Sequence, residues 1–312
     1  MRSLFSRTRA LELAAVNLYA DRAEVGHVRR NGSERPVVAL CAQFANADEP
    51  VETLQRLRRE FHLDRFSCAT LLPARQYQLQ LIDAPNVPAA EMKSAARWRL
   101  KDFLEYPVET ATVDVVPIPA DVAAAGRDRS VYAVSARNQD VEARMKIFAA
   151  AKVRLSVIEI AEMAQRNLAA LFENDQRALA MLSFSDEGGL LTFSARSELY
   201  LSRRIEISID QLTSALPEMR DQLFERIALE LQRSLDHFDR QFSHVPVARL
   251  LLAPLPEELG LAAYLKANLS APVEAVNLGD VLDFHEVPEL REPAEQMTRW
   301  KTLGTALRVD TA

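Results

Sequence analysis

The amino-acid sequence predicts an α/β protein built from two related domains, with a cleft between them. Three observations lead to this prediction. The chain has 312 residues, which is long for a single ordinary hydrophobic core. Each half of the chain opens with three short strand-like runs and continues with helices and further strands. The polar stretch 173–176 lies between the halves and is the expected linker.

The first half opens with strand-like runs at 10–18, 23–30 and 36–43, separated by turn-forming residues. A helix is expected next, with Asp48 as its N-cap and Pro50 in its first turn. The remaining elements of this half follow in order: strands at 66–72, 76–81, 112–118, 131–135 and 155–160, helices at 89–104, 140–150 and 160–172, and a polar, alanine-rich loop at 120–129.

The second half repeats this opening, with strand-like runs at 178–184, 189–195 and 198–205. Its clearest helix is 224–242, whose apolar residues recur on one face. The later elements follow in order: a strand at 249–253, a helix at 257–269 and a strand at 273–276.

The composition indicates a folded protein and argues against several classes of function. Hydrophobic residues make up 48% of the chain and charged residues 26%, which is typical of a globular protein. The formal net charge of −6 argues against nucleic-acid binding, because nucleic-acid binders need a basic face. The five histidines lack the spacing of a metal site, so no metal is expected.

The distribution of apolar residues and cysteines predicts a cytoplasmic location. No window approaches the roughly 20 apolar residues that a membrane-spanning helix needs. The basic residues at 1–9 are not followed by an uninterrupted apolar run, so neither a signal peptide nor an anchor is expected. Cys41 and Cys68 lie in apolar strand-like runs and are expected to be buried, reduced thiols.

Four collinear stretches resemble the PilM family of actin-like proteins in type IV pilus assembly, and particularly its MshI branch from mannose-sensitive haemagglutinin pili. They are 96–109 (ARWRLKDFLEYPVE), 131–137 (VYAVSAR), 231–238 (LQRSLDHF) and 303–308 (LGTALR). The first is similar to the helix of an inserted subdomain and the last to the C-terminal helix. Together they span most of the chain in the family's order.

The resemblance implies an actin-like (ribonuclease H-like) two-domain fold with a small inserted subdomain. The first domain is expected at 1–172, with the inserted subdomain at about 73–118. The second domain is expected at 177–285, and 286–312 is expected to be a linker and a helix that packs back on the first domain.

The resemblance also implies a scaffold role at the inner membrane. Members of the family bind the cytoplasmic tail of a PilN-like inner-membrane protein, in a groove between the inserted subdomain and the first domain. The chain is therefore expected to associate with the membrane through that partner and to join other pilus assembly components. The oligomeric state is left open.

Actin-like ATPases hold phosphates on the turns of two β-hairpins, where glycine lets backbone N–H groups approach the phosphate oxygens. Each turn also carries an Asp. The resemblance places the first Asp-hydrophobic-Gly step on Asn17-Leu18-Tyr19, which lacks both the carboxylate and the glycine. It places the second step on Ser183 and Ser185, which lack them as well.

The adenosine turn of the family is glycine-rich and follows a strand. Here that strand is followed by Ala253-Pro254-Leu255-Pro256, which contains no glycine. Because all three turns are altered, we expect a pseudo-ATPase with no catalytic residue, no cofactor and no metal.

A working ATPase that uses displaced groups is the first alternative. Asp21 and Asp186 are the carboxylates it would need, with Gly188 and Gly189 as displaced glycines. A plain hairpin turn explains the two glycines better. Two further alternatives are a cytoplasmic component of type II secretion related to GspL, which shares the fold, and a sugar-kinase-type enzyme, which needs the missing phosphate turns.

An aromatic group within the expected inserted subdomain has two interpretations. It consists of Tyr77, Trp98, Phe103 and Tyr106. The core of the subdomain is the favoured interpretation. The alternative is a peptide groove for the partner's tail, because an extended peptide needs apolar pockets beside a free strand edge.

Overall fold

A computed structural model describes residues 12–30, 32, 35–47, 49–119 and 130–309. Three predictions lie outside these ranges: the basic stretch 1–9, the N-cap at Asp48 and the loop at 120–129. The helix that follows Asp48 begins at Pro50, and Glu49 is its N-cap residue.

The described residues form three β-sheets with helices packed on them. The strands are β1 (Leu13–Leu18), β2 (Arg22–Arg29), β3 (Val37–Ala45), β4 (Ser67–Leu71), β5 (Tyr77–Asp83), β6 (Ala111–Pro117), β7 (Ser130–Arg137), β8 (Leu155–Glu159), β9 (Ala178–Ser185), β10 (Gly188–Ala195), β11 (Glu198–Ile205), β12 (Val247–Leu252) and β13 (Val273–Ala275). The α-helices are α1 (Pro50–Phe61), α2 (Met92–Arg99), α3 (Asn138–Ala150), α4 (Ala161–Ala169), α5 (Ile209–Ser214), α6 (Pro217–Gln241), α7 (Leu261–Asn268), α8 (Pro293–Thr298) and α9 (Trp300–Ala306). Each strand that the sequence predicts is present, with ends that differ by a few residues.

The first sheet has the strand order β3-β2-β1-β4-β8. Its first three strands form the predicted antiparallel meander, and β4 and β8 continue the sheet in parallel with β1. Helices α1 and α3 supply the fully buried Leu54, Leu57 and Phe148 to the core beside this sheet. Buried side chains of β1 alternate between its two faces. The strand therefore contacts this core on one face and a second buried hydrophobic cluster on the other.

The second sheet repeats this topology, with the strand order β11-β10-β9-β12-β13. Strands β9 to β11 form the second predicted meander, and β12 and β13 are parallel to β9. The long helix α6 packs on the sheet, and the rings of Phe193 and Phe238 stack with their centroids 4.6 Å apart. The structural repetition that the sequence predicts is therefore confirmed as a shared strand order.

The third sheet is small and has the strand order β5-β7-β6. The predicted range of the inserted subdomain, 73–118, is too short, because the central strand of this sheet is β7 and pairs with both neighbours. The predicted helix 89–104 is also too long. Leu100 is buried in the core of this unit, and the chain turns after it so that Leu104 packs against the same core.

Two helices, α4 and α9, cross closely between the first and the second sheet. Helix α9 packs on β1, β2 and α4. At the crossing with α4, a Cβ added to Gly304 would lie 2.3 Å from the carbonyl oxygen of Ala164, so only glycine permits this approach. The Nδ2 of Asn167 donates a hydrogen bond to the carbonyl oxygen of Gly304 at 2.9 Å.

Both cysteines are buried and free, as the sequence predicts. Burial raises the pKa of the Cys68 thiol to about 12 and raises that of Cys41 as well, so both thiols are protonated at neutral pH. Within the described ranges, none of the helices combines the length and the apolar character needed to cross a bilayer.

Candidate functional site

A cavity of about 230 Å³ lies where the β1–β2 turn faces the β9–β10 turn. Its walls are formed by residues 17–21, 71–73, 161, 186, 187 and 301. The resemblance described above places the two phosphate-binding turns here. The side chains that line the cavity therefore decide what this cleft can bind.

Asn17 is the residue that the resemblance aligns with the first Asp, and both polar atoms of its amide are used inside the protein. The residue is 1% exposed. Its Oδ1 accepts a hydrogen bond from the backbone N–H of Leu71 at 2.8 Å, and its Nδ2 donates to the hydroxyl of Thr302 at 2.9 Å. That hydroxyl donates in turn to the buried carboxylate of Glu24 at 2.5 Å. The neutral amide therefore joins β1 to β4 and α9 and carries no charge to hold a cation.

Tyr19 follows the end of β1 and is the residue that the resemblance aligns with the glycine of this turn. The guanidinium of Arg22 sits 4.4 Å from the centroid of its ring and also donates from Nε to Glu24 at 3.0 Å. Burial and the neighbouring Glu24 carboxylate raise the pKa of the Tyr19 phenol above its usual range, so the hydroxyl stays protonated. The side chain of Asn46 donates to the carbonyl oxygen of Tyr19 at 2.9 Å. A fixed aromatic residue thus forms this part of the wall.

The second hairpin turn is held by hydrogen bonds between protein groups. The hydroxyl of Ser183 donates to Oε1 of Gln165 at 2.5 Å, and the hydroxyl of Ser185 donates to the carbonyl oxygen of Gly188 at 3.3 Å. Gly188 has a φ of +113°, and a Cβ there would lie 2.8 Å from the carbonyl oxygen of Ile205. The hairpin backbone itself therefore requires this glycine, in agreement with the plain-turn interpretation.

Glu187 makes a contact across the cavity that the sequence does not predict. Its Oε1 accepts a hydrogen bond from the backbone N–H of Ala74 at 2.8 Å, and its Oε2 forms an ion pair with Lys301. Burial opposes ionisation of this carboxyl, but Lys301 and the Ala74 N–H outweigh it and hold the pKa of Glu187 below its usual range. The three residues are far apart in the sequence, and no motif connects them.

The expected adenosine turn is closed by backbone pairing and packing. The N–H of Ala253 donates to the carbonyl oxygen of Leu182 at 2.8 Å, which extends the pairing of β12 with β9. Ala253 is 4% exposed and belongs to the same hydrophobic cluster as Val276. Pro254 and Pro256 follow it and have no N–H to offer a ligand.

Tyr77, the first residue of the predicted aromatic group, connects the third sheet to α4 and to the second sheet. Its hydroxyl donates to Oε2 of Glu162 at 2.5 Å and accepts from the backbone N–H of Ala161 at 3.2 Å. Arg204 on β11 donates to Oε1 of Glu162 at 2.7 Å. Glu162 is 1% exposed, so these donors take the place of water around its carboxylate. The hydroxyl of Tyr77 thus makes its hydrogen bonds within this network rather than to a ligand.

Trp98 and Phe103 contradict the core interpretation of the aromatic group. Trp98 is 65% exposed and Phe103 is 51% exposed. The core of the small unit is formed instead by aliphatic side chains: Ile82, Ala96, Leu100, Ala111, Val113, Val131 and Ala133. The two exposed aromatic rings therefore form an apolar surface near the end of α2.

Tyr106 is half-buried and lies under the guanidinium of Arg137, which is 4.2 Å from the centroid of its ring. Tyr106 and the ring of Tyr77 line one small groove of about 110 Å³ between the start of β5 and the start of α3. Trp98 and Phe103 are not part of its lining. The four predicted residues are therefore divided between a groove and an exposed surface of the same small unit.

Among the described residues, no three His, Cys, Asp or Glu side chains come together in a way that could hold a metal ion. Asp186 lines the cavity, as the active-ATPase alternative requires, and so does Asp21. Asp21 contacts Arg22, with a distance of 3.1 Å between Oδ1 and the guanidinium.

Comparison with solved structures identifies the fold. The chain is similar to a chain of the PilM-PilN type IV pilus biogenesis complex, with a TM-score of 0.71 and 20% identity over 95% of this chain and 98% of that one. It is also similar to a Bacteroides thetaiotaomicron protein with an actin-like ATPase fold and unknown function, with a TM-score of 0.51 and 9% identity over 93% and 99% of the two chains. The chain has an actin-like fold. No family model matches the sequence, and no curated protein matches it significantly.

A third similar structure is the cytoplasmic domain of EpsL, an inner-membrane component of the type II secretion system of Vibrio cholerae. It has a TM-score of 0.47 and 14% identity over 92% of this chain and 93% of that domain. A likeness at this level does not indicate which assembly the actin-like chain serves.

Proposed function

We propose that this actin-like chain is a cytoplasmic scaffold of type IV pilus assembly that binds the tail of a PilN-like inner-membrane protein. The observation that carries the proposal is the structural likeness to a chain of the PilM-PilN complex, which extends over nearly the whole of both chains. The collinear sequence stretches support it, and they favour the MshI branch of the family. The chain would reach the inner membrane through its partner.

We propose further that the cleft has lost nucleotide binding, so that the protein is a pseudo-ATPase. Asn17 offers a neutral amide where a carboxylate would hold a metal ion, and Tyr19 offers a ring where a glycine would expose an N–H group. The adenosine turn is occupied by packed Ala253 and by prolines. Ser183 and Ser185 in the second hairpin turn bond to protein groups. All three turns are therefore altered, which favours the loss of binding over a weakened ATPase.

The exposed rings of Trp98 and Phe103 are the proposed contacts for the tail, together with the groove at Tyr106. Large aromatic side chains that are exposed in the free protein are the residue type that most often dominates binding. Their exposure also means that their removal leaves the core intact. Binding and folding can therefore be separated by experiment at these positions.

The test uses a peptide with the cytoplasmic tail sequence of a PilN-like protein from the same cells, titrated against Trp98→Ala and Phe103→Ala. At least one variant is expected to bind the tail about tenfold or more weakly, as loss of a binding hot spot does, with an unchanged circular dichroism spectrum. Leu229→Ala is the matched control, because Leu229 is 50% exposed on α6 in the other half of the chain. Equal binding by all three variants would place the tail elsewhere, and no binding by the unaltered chain would contradict the proposed function.

A further inference from the structure

We propose that Glu187 is a built-in anionic ligand of the cleft, whose carboxylate joins the β9–β10 turn to the chain after β4 and to α9 and occupies donors that a phosphate group could otherwise use. The inference rests on the proposed function, because it explains what the donors that face a cleft without nucleotide bind. It names the group that occupies the cleft and the donors that bind this group.

Two donors from different parts of the chain converge on this carboxylate. The backbone N–H of Ala74 follows the end of β4 and donates to Oε1 at 2.8 Å. The ammonium group of Lys301 on α9 pairs with Oε2. A backbone N–H and a lysine are the kinds of donor that proteins use to bind phosphate oxygens. Glu187 itself comes from the turn of the second meander, so the contact links the second sheet to the first.

The surroundings keep this contact partly shielded from water. The side chain of Glu187 is 27% exposed and that of Lys301 is 19% exposed. Both residues line the 230 Å³ cavity between the hairpin turns. The carboxylate is ionised at neutral pH because its two donors outweigh the effect of burial on its pKa. A negative charge is therefore fixed at the position where an incoming phosphate would need the same donors.

This arrangement predicts how the cleft responds when the carboxylate is removed. In Glu187→Ala the N–H of Ala74 loses its acceptor, and Lys301 loses its counter-ion. The β9–β10 turn is then no longer connected through this side chain to the chain after β4 and to α9. An inorganic anion such as pyrophosphate can take up the same two donors, whereas in the unaltered chain the carboxylate of Glu187 already occupies both of them.

The experiment measures hydrogen exchange at the Ala74 amide by NMR in the full chain, with and without inorganic pyrophosphate. Glu187→Ala is expected to exchange this amide about tenfold faster than the unaltered chain, as the loss of one hydrogen bond to a charged acceptor predicts. Pyrophosphate at a roughly millimolar concentration is expected to slow the exchange again in this variant. It is expected to have no effect on the unaltered chain or on the double variant Glu187→Ala/Lys301→Ala.

Glu225→Ala is the matched control, because it removes the same charge from an exposed site on α6 outside the cavity lining. Glu187→Met replaces the alanine variant if that variant fails to fold, since it keeps the length of the side chain and removes both carboxylate oxygens. The inference is overturned if exchange in the Glu187 variant equals that of Glu225→Ala, or if pyrophosphate does not restore it. Binding of MgATP by the unaltered chain would instead contradict the pseudo-ATPase proposal, whatever the Ala74 amide does.

Discussion

Asn17→Asp restores the residue type of the family's first phosphate turn, and we expect it to destabilise the protein rather than rebuild a nucleotide site. The new carboxylate would still accept the hydrogen bond from Leu71. Its second oxygen, however, would replace the amide group that now donates to Thr302 at 2.9 Å. The single hydroxyl proton of Thr302 is already donated to Glu24 at 2.5 Å. Two buried carboxylates would then face one hydroxyl.

The magnitude follows from these contacts. An unsatisfied charged group at a position that is 1% exposed costs more than the roughly 1–3 kcal/mol of a neutral one. The bond from Leu71 becomes charge-assisted and offsets about 1 kcal/mol of this cost. The free energy of unfolding is therefore expected to fall by about 2–3 kcal/mol at pH 7.

Urea denaturation of Asn17→Asp and the unaltered chain at several pH values provides the measurement. Burial raises the folded-state pKa of the introduced carboxyl above its unfolded value, so the deficit is present at neutral pH and shrinks as the pH falls. The protonated form can also donate to Thr302, as the amide does now. Asn174→Asp is the control, because Asn174 is exposed in the linker. Unchanged stability at pH 7, or a deficit that grows at lower pH, would refute the reasoning.

Two further predictions concern contacts of helix α4. Gly304→Ala gains about 1 kcal/mol of helix propensity but forces a Cβ to within 2.3 Å of the Ala164 carbonyl oxygen. We therefore expect the free energy of unfolding in urea to fall by about 1–2 kcal/mol. A more stable variant would contradict the close helix crossing. Tyr77→Phe leaves the buried Glu162 with fewer donors and is expected to lower the free energy of unfolding by about 1–3 kcal/mol. A change below about 0.5 kcal/mol would show that the network contributes little.

The strands could be predicted from the sequence because they are short buried runs between turn-forming residues. The two meanders are local in sequence, so their pairing could be predicted as well. The membership of β7 in the third sheet could not, because its partners β5 and β6 are chosen by tertiary pairing and not by the pattern within 131–135. The same holds for the end of α2, which depends on where Leu100 enters the small core.

The positions of the altered turns could be predicted only through the resemblance, which supplied the alignment of Asn17 and Tyr19. At those positions the loss of glycine and Asp can be recognised, because both residue types have specific roles there. The exposure of Trp98 could not be predicted, since an aromatic residue on a short helix fits a core and a surface equally well. The contact of Glu187 with Lys301 joins residues 114 positions apart and has no signature in the sequence.

We propose that the actin-like chain binds its partner's tail without nucleotide. Isothermal titration of MgATP into the chain, repeated in the presence of the tail peptide, tests it most directly. We predict no binding of MgATP at micromolar concentrations and the same tail affinity with and without it. A dissociation constant for MgATP in the low micromolar range, or a tail affinity that depends on MgATP, would contradict the account.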